Sequence, residues 1–259
     1  MTQDYEISRN IWDSKVPVEF TLESDDVLET PKPFYAMLSR VSYFPLILPK
    51  VLAYFNMQCG DLRLDLDKLW LEYSRQSIKP YYPIGVLFDT MKDDDLLPWR
   101  ISVKVKDAPS NTSIVGKDTL ESMFMQSLKE ADYLRRKASI ITGMSSEHHK
   151  RLWRGLANDN FDEFWTVNRR LVDTNLSEKI NSLPIRLYRK GHPMQQAPIP
   201  PMSNGSPSLL SDVLPLIDPS LPNSPRIVSH GIEIPLSTPI IWLAQNLSYP
   251  DNFVHLVAV

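Results

Sequence analysis

The sequence predicts an α+β chain in which two similar modules of strands and helices flank a helical middle region. Residues 82–87 form a turn that begins at a proline and leads into a strand pattern at 99–105. The same pattern returns at the end of the chain, where residues 238–243 precede a strand pattern at 253–259. A supersecondary pattern that recurs on both sides of a differently built segment indicates two related modules.

The first module is predicted from the order of its elements. Residues 3–10 indicate a short leading helix, and residues 16–22 alternate apolar and polar side chains as a half-buried strand does. The elements that follow are a strand at 34–41, a helix at 43–57 with Pro49 in its first turns, a strand at 69–73, the turn at Pro83 and the strand at 99–105. This order is that of a ubiquitin-like β-grasp fold.

The second module repeats that order. Its predicted elements are two extended segments at 183–188 and 195–201 around Gly191, a short helix at 209–217, a strand at 226–230, the turn at Pro239 and the final strand. Because proline has no backbone N–H to donate, Pro200 and Pro201 place the second extended segment at the edge of its sheet.

The middle region has the periodicity of helices. Asp118 and Glu121 have the spacing of an N-terminal cap, and Asn160 and Glu163 have it again before a helix at 161–172. A shorter helix at 147–156 is predicted between them. One apolar stripe follows the first cap: Leu120, Phe124, Leu128, Ala131, Leu134, Ala138 and Ile141. Five residues lie along one side of the helix at 161–172: Phe161, Phe164, Trp165, Asn168 and Leu171.

These elements divide the chain into three expected domains. We expect an N-terminal ubiquitin-like domain with a short leading helix at 1–106, a helix-rich domain at 117–176 and a C-terminal ubiquitin-like domain at 183–259. A chain of 259 residues with 42% hydrophobic residues is longer than one module of about 100–150 residues requires, which agrees with two or three packed modules.

Charge and composition disfavour a nucleic-acid partner and make membrane contact the minor interpretation. The chain has 28 Lys and Arg against 31 Asp and Glu, so no overall basic excess favours nucleic acid. Within 117–174 the balance is ten basic to nine acidic residues, which favours a solvated helix surface over contact with an anionic membrane. A single cysteine, the absence of a signal-peptide pattern and the absence of a long apolar run predict a cytoplasmic protein.

No residue pattern indicates an active site. Cys59 lacks a surrounding catalytic motif, and His148 and His149 point about 100° apart on a helix, without a further ligand at metal-binding spacing. The acidic run at 93–95 lacks the alternating ligands of a calcium loop, and no glycine-rich phosphate loop is present in the sequence. We therefore expect no enzymatic activity, no cofactor and no metal.

The last residues bear on whether the chain is a ubiquitin-like modifier. A ubiquitin-like modifier needs a flexible extension that ends in glycine, because its carboxyl group must reach a narrow enzyme channel. Here residues 256–259 read Leu-Val-Ala-Val and continue the final strand pattern. We expect that this protein is not itself a modifier.

Five segments resemble signature segments of the autophagy-related protein 5 family. They are LKEADYL at 128–134, NDNFDEFW at 158–165, YPIGVLFD at 82–89, HGIE at 230–233 and LSYPDNF at 247–253. They occur in all three predicted domains and in the family's order, whereas the proline-rich stretch at 193–225 contains no recognisable segment.

The resemblance implies a scaffold that acts in autophagosome formation. In this family a lysine on the first long helix accepts the C-terminal glycine of the ubiquitin-like modifier autophagy-related protein 12 from the conjugating enzyme autophagy-related protein 10. The conjugate binds a helix of autophagy-related protein 16, is recruited from the cytoplasm to the preautophagosomal membrane, which it contacts peripherally, and promotes lipidation of protein 8 modifiers. The matching acceptor residue here is Lys129.

The sequence also suggests details of the two expected sites. Lys129 follows Leu128, which belongs to the buried stripe, and is expected to expose its amine; either the enzyme or the neighbouring Glu130 and Asp132 would orient the ammonium or relieve it of a proton. For the groove that takes the protein 16 helix, the candidates lie in recognisable segments or are polar or aromatic groups: Arg40, Tyr43, Tyr82, Gly85, His230 and Gly231.

Two alternatives stay open. One is an enzyme with its own activity, which the missing catalytic constellation disfavours. The other is a ubiquitin-like adaptor that binds a partner helix but is never conjugated. A mass increase of one small protein that a single lysine substitution abolishes would separate the acceptor from the adaptor.

Overall fold

The computed structural model describes residues 4–23, 31–59, 64–92, 94, 96–105, 107–110, 112–137, 140–172, 180–203 and 205–259. Its contacts form two compact units: Ser14–Leu120 is one, and Met1–Asp13 together with Glu121–Val259 is the other. The fold class is α+β, as predicted.

The unit at 14–120 contains the first five-stranded sheet. Its strands are β1 (Lys15–Glu23), β2 (Phe34–Ser39), β3 (Leu69–Tyr73), β4 (Gln76–Ser77) and β5 (Trp99–Val105), and its helices are α2 (Phe44–Gln58) and α3 (Ile84–Met91). The strand order is β2-β1-β5-β3-β4. β1 and β5 lie parallel in the centre, with Phe20 opposite Ile101, and the other pairs are antiparallel.

The period-two pattern of β1 positions the core of this unit. Val16, Val18, Phe20 and Leu22 are almost fully buried on one face, and the intervening residues are partly exposed. The buried face packs against α2 through Phe44. The alternation recognised in the sequence therefore marks the core face of the sheet.

The second sheet repeats the arrangement of the first. It contains β6 (Leu183–Arg189), β7 (Gln195–Ile199), β10 (Ile227–Ser229), β11 (Ile232–Glu233) and β12 (Val254–Ala258), with helices α7 (Leu210–Ile217) and α8 (Ile240–Asn246). The order is β11-β10-β12-β6-β7, and the first and last strands, β6 and β12, pair in parallel as β1 and β5 do. β7 lies at an edge, as Pro200 and Pro201 predicted.

From Glu121 onward the helical region belongs to the same unit as the second sheet. It consists of α4 (Lys117–Arg136), α5 (Ser146–Ala157) and α6 (Phe161–Val172), with α1 (Tyr5–Asp13) packed against α6. The Asn160 cap is confirmed, since its Oδ1 accepts the N–H of Glu163 at 3.1 Å. None of the helices in the described ranges combines the length and apolar character needed to cross a bilayer.

Several elements differ from their predicted bounds. α4 begins at Lys117, so Asp118 is its second residue and not its cap, and it ends at Arg136. Lys137 has a positive φ of 55°, which ends the helix, and Ile141 belongs to a separate 3₁₀ turn at Ile141–Gly143. Ala138 lies outside the described residues. The two-residue strands β4, β11, β8 (Met202–Ser203) and β9 (Ser206–Pro207) were not predicted, because two residues carry no periodicity.

Candidate functional site

The predicted acceptor, Lys129, lies on the exposed face of α4. Leu128 before it is fully buried and Ala131 after it is also buried, which places the intervening turn at the margin of the helix contact. Tyr133, one turn further along, is 59% exposed. Among the described residues, the Lys129 ammonium has no hydrogen-bond or ion-pair partner. The structure thus presents this amine to solvent, as an acceptor requires.

Glu130, next to Lys129, is bound to the second sheet. Its Oε2 lies 3.2 Å from Nη2 of Arg186 on β6, and its Oε1 accepts a 2.7 Å hydrogen bond from Nε2 of Gln196 on β7. Arg186 Nε in turn donates to Gln196 Oε1 at 3.0 Å. We refer to these three side chains, which close a ring between helix and sheet, as the Glu130 clamp.

Asp132 has a different set of partners. It is 2% exposed; its Oδ2 accepts the N–H of Ile141 at 2.9 Å and its Oδ1 lies 3.2 Å from Nη1 of Arg136. Both carboxylates expected to assist the Lys129 amine are therefore committed elsewhere. In this structure the two carboxylates hold the helix and the segment after it.

Arg135 anchors the end of α4. Its guanidinium is fully buried and donates to the carbonyl oxygens of Ala244 and Asn252 at 3.2 and 3.1 Å and to Oγ of Ser248 at 3.2 Å. Burial lowers the pKa of Arg135 from 12.5 to about 10, with a smaller contribution from the neighbouring charge of Arg136, so the group stays charged at neutral pH. The positive charge meets carbonyl oxygens at the end of α8, where the helix dipole is negative.

A buried polar cluster on the second sheet contacts Arg186 of the Glu130 clamp. His255 on β12 places Nε2 3.0 Å from Asp251 Oδ2 and Nδ1 2.9 Å from the hydroxyl of Tyr188. Arg186 reaches the same carboxylate at 3.3 Å and stacks its guanidinium 3.6 Å from the ring centroid of Phe253. Burial opposes ionisation of Asp251, but His255, Arg186 and the N–H of Phe253 together lower its pKa.

Tyr188, His255 and Asp251 have the residue types of a catalytic relay, but their side chains are not accessible to a substrate. All three are at most 5% exposed. The cluster also binds backbone: the N–H of Phe253 donates to Asp251 at 3.1 Å. Its contacts fix the loop before β12 to the sheet, which is a structural role.

The predicted groove residues fall into two sets, one in each compact unit. In the unit at 14–120, the N–H of Gly85 donates to the carbonyl oxygen of Arg40 at 2.7 Å, which joins the end of β2 to the start of α3. The Arg40 guanidinium pairs with Asp89 and lies 5.4 Å from the ring centroid of Phe88. Arg40 and Tyr43 are buried, and Tyr82 is partly exposed.

The other set lies at the turn between β10 and β11. His230 and Gly231 both have positive φ, at 53° and 78°, and together turn the chain. His230 is 5% exposed, stacks on Tyr249 with ring centroids 4.0 Å apart and forms a 3.0 Å hydrogen bond to the carbonyl oxygen of Leu247. Gly231 is exposed. His230 thus holds the turn that contains the exposed Gly231.

The alternative reactive residues have ordinary structural surroundings. Burial raises the pKa of the Cys59 thiol, which reduces its thiolate fraction. His149 bonds the carbonyl oxygen of Ile141 at 2.7 Å, and His148 lies 3.1 Å from Oγ of Ser145. In the ranges that the structure describes, no group of His, Cys, Asp and Glu side chains is placed to hold a metal ion. Asp93 and Asp95 of the acidic run lie outside those ranges.

Sequence reasoning missed the residues that hold α4 on the second sheet. Arg186 and Gln196 face each other on β6 and β7, and Arg186 also faces His255 on β12. The signal that could have found Arg186 is a charged residue within the apolar run of 183–188, because a buried charge requires a partner. The identity of that partner depends on the packing of α4, which no local pattern reveals.

Comparisons with known proteins agree with this arrangement of domains. Family models match three ranges: "Autophagy protein ATG5, UblA domain" at 11–105, "Autophagy protein ATG5, alpha-helical bundle region" at 117–174 and "Autophagy protein ATG5, UblB domain" at 182–258. The chain is 42% identical to autophagy-related protein 5 of Caenorhabditis elegans, covering 98% of each chain. It is 34% identical to autophagy protein 5 of Drosophila melanogaster, covering 99% of this chain and 97% of that protein.

A solved structure shares the fold. The crystal structure of Kluyveromyces marxianus Atg5 superposes on this chain with a TM-score of 0.85, covering 99% of this chain and 100% of that one, at 21% sequence identity. The two ubiquitin-like β-grasp domains and the helical domain between them are thereby confirmed.

Proposed function

Because the chain belongs to the autophagy protein 5 family, we propose that it is a non-catalytic scaffold that carries the modifier autophagy-related protein 12 on Lys129. The observation that supports this most directly is the exposed Lys129 on α4, beside Glu130 and Asp132, whose carboxylates are bound within the chain. The conjugate binds a helix of autophagy-related protein 16 and promotes lipidation of protein 8 modifiers at the preautophagosomal membrane.

The chemistry requires an accessible amine and a fixed backbone. The conjugating enzyme, autophagy-related protein 10, presents the C-terminal glycine of the modifier as a thioester. The neutral Lys129 amine attacks the thioester carbonyl carbon, the carbon–sulfur bond breaks, and the thiolate leaves. The amine then loses a proton, and the new amide is the isopeptide bond. Because Glu130 and Asp132 are engaged within this chain, the enzyme supplies the base.

Partner binding is proposed at the two sets of groove residues. Gly231 is exposed and Tyr82 is partly exposed, so both are suited to contact a helix, whereas the buried Arg40 and His230 hold the backbone at Gly85 and at the 230–231 turn. This division assigns contact to some of the predicted residues and support to the others.

The proposal is tested by Lys129→Arg. Arginine keeps the positive charge and the helix propensity but removes a competent nucleophile. We expect the conjugate to disappear in a reconstituted reaction and in cells, with an unchanged circular dichroism spectrum and unchanged binding of the protein 16 helix. Lys137→Arg, at an exposed lysine just beyond the same helix, is the matched control and keeps full conjugation. Conjugate at wild-type level in Lys129→Arg would contradict the proposal.

The unconjugated adaptor is the second candidate, and it shares the fold and the partner helix. It predicts that Lys129→Arg binds protein 16 and supports protein 8 lipidation as well as the wild-type chain does. Measurement of lipidation alongside conjugation therefore separates the two.

A further inference from the structure

Lys129 and Glu130 are adjacent on α4, but they are held very differently. The Lys129 side chain is exposed, and the structure shows no partner for it among the described residues. Glu130 is tied through both carboxylate oxygens to two strands of the second sheet, at 3.2 Å from Arg186 and 2.7 Å from Gln196. Glu130 is thus one of the groups that hold the backbone of α4 next to Lys129.

The two groups that hold Glu130 are themselves fixed. Arg186 and Gln196 are register partners on β6 and β7, and a 3.0 Å hydrogen bond links their side chains. Arg186 also lies 3.3 Å from Asp251 and stacks on Phe253 at 3.6 Å. Because Gln196, Asp251 and Phe253 hold the Arg186 guanidinium, it binds the Glu130 carboxylate in one orientation. This contact in turn restrains the turn of α4 that carries Lys129.

The Glu130 clamp is poorly suited to be a stability device. The Glu130 side chain is 41% exposed, and half-exposed ion pairs contribute little to folding. α4 is already attached to its unit by the buried Leu128 and Ala131 and by the three hydrogen bonds of Arg135. What the clamp adds is control over the rotation of the helix beside the acceptor.

We propose that Arg186 and Gln196, acting through Glu130, are positioning residues that orient the Lys129 turn of α4 toward the thioester of the incoming modifier. This inference rests on the proposed function of Lys129. The amine and the thioester carbonyl carbon must approach to about 3–3.5 Å along one direction, and a displacement of about 1 Å costs a large factor in rate. A long lysine side chain reaches many positions, so anchoring its backbone reduces the number of unproductive ones.

The experiment measures single-turnover transfer to the full chain from purified protein 10 that carries protein 12 as a thioester. The clamp variants are Glu130→Gln and Gln196→Ala. The matched control is Glu163→Gln, which removes a similarly half-exposed ion pair, between Arg154 on α5 and Glu163 on α6 of the same unit. For each protein we would record the maximal transfer rate, the half-saturating concentration and the thermal midpoint. Labelling of Lys129 by a small N-hydroxysuccinimide ester, followed by mass spectrometry, reports the accessibility of the amine itself.

We expect the maximal rate to fall on the order of tenfold in both clamp variants. The half-saturating concentration, the thermal midpoint and the ester labelling should stay at wild-type values, and the control should match wild type in every measurement. A maximal rate within about twofold of wild type in both clamp variants would overturn the proposal, and so would a rate loss matched by a lower midpoint or by slower ester labelling. Conjugation that persists in Lys129→Arg would instead overturn the proposed function, so the two failures are distinguishable.

Discussion

Nη2 of Arg135 lies 3.2 Å from the carbonyl oxygen of Ala244, although 109 positions separate the two residues. The last carbonyl groups of a helix have no partner within it, and α8 ends two residues after Ala244. Arg135, at the end of α4, donates to one of these carbonyl groups, which also accepts the hydroxyl of Ser248. One side chain thus joins the helical domain to the C-terminal ubiquitin-like domain.

We expect Arg135→Met to lower the free energy of unfolding by about 2–4 kcal/mol, because two buried carbonyl oxygens and a part-buried hydroxyl lose a charged donor. Urea denaturation followed by circular dichroism measures the difference. Lys137→Met replaces an exposed cation beyond the same helix and should change stability by less than about 0.5 kcal/mol. Equal stability of the two variants would show that Arg135 is dispensable.

Gly155 allows the close approach of α5 and α6. A Cβ atom at this position would lie 2.7 Å from the backbone N and 2.9 Å from Cα of Phe164, neither of which is able to move without displacing the helix. We expect Gly155→Ala to destabilise the protein by about 1–3 kcal/mol, despite the better helix propensity of alanine.

Gly143→Ala is the control for Gly155→Ala, since a Cβ at Gly143 meets nothing within 4 Å. Thermal unfolding of the two variants measures the contrast. A Gly155→Ala variant as stable as Gly143→Ala would refute the close approach of the two helices.

The buried ion pair of Arg40 and Asp89 predicts that a single substitution destabilises the protein more than the double substitution does. Their side chains are 9% and 5% exposed, so removal of one charge leaves the other buried without its partner. We expect Arg40→Met to cost about 3–5 kcal/mol in unfolding free energy, and the double variant Arg40→Met/Asp89→Leu to recover part of that loss. Chemical denaturation of both variants tests this, and a double variant less stable than Arg40→Met would contradict it. Any test of partner binding at Arg40 therefore needs a measurement of folding beside it.

The lowered pKa of Asp251 predicts that the folded protein loses stability in acid. Its folded pKa is lower than its ordinary value of 3.8, so between these two values the unfolded chain binds more protons than the folded chain. Stability from this group is present above about pH 4 and is lost as the pH falls through the folded pKa.

We expect the unfolding free energy to fall less steeply below pH 4 in Asp251→Asn than in the wild-type chain. Denaturation curves between about pH 2 and pH 5 measure the slope. Asp162→Asn, at an exposed carboxylate, is the control and should keep the wild-type slope. If the unfolding free energy of Asp251→Asn had the same pH slope as that of the control, Asp251 would not contribute to the loss of stability in acid.

Cys59 tests the enzyme alternative. Because burial raises the pKa of its thiol, the thiolate fraction at pH 7 is smaller than for a free cysteine of pKa about 8.5. We expect alkylation by iodoacetamide at pH 7 to be slower than for a cysteine in a short unstructured peptide, and Cys59→Ser to leave conjugation unchanged. Faster alkylation than in the peptide would indicate an activated thiol.

Local patterns were enough to predict most helices and strands of this protein. The alternation at 16–22, the apolar spacing at 43–57 and the Asn160 cap depend on neighbours in the chain, and each element formed where it was expected. Repetition of the pattern also predicted two sheets of the same order, with β7 at an edge because of its prolines.

The sequence by itself therefore determined the fold class, the repeated β-grasp modules and the exposure of Lys129, because periodicity and burial of one helix face are local properties. Only the tertiary structure decided what holds α4. Arg186 reaches Glu130 across 56 positions, and Arg135 reaches Asn252 across 117. A buried charge predicts that a partner exists, but the identity of the partner follows from which elements pack together. For the same reason Glu130 and Asp132, adjacent to Lys129 in the sequence, proved to be committed to other groups.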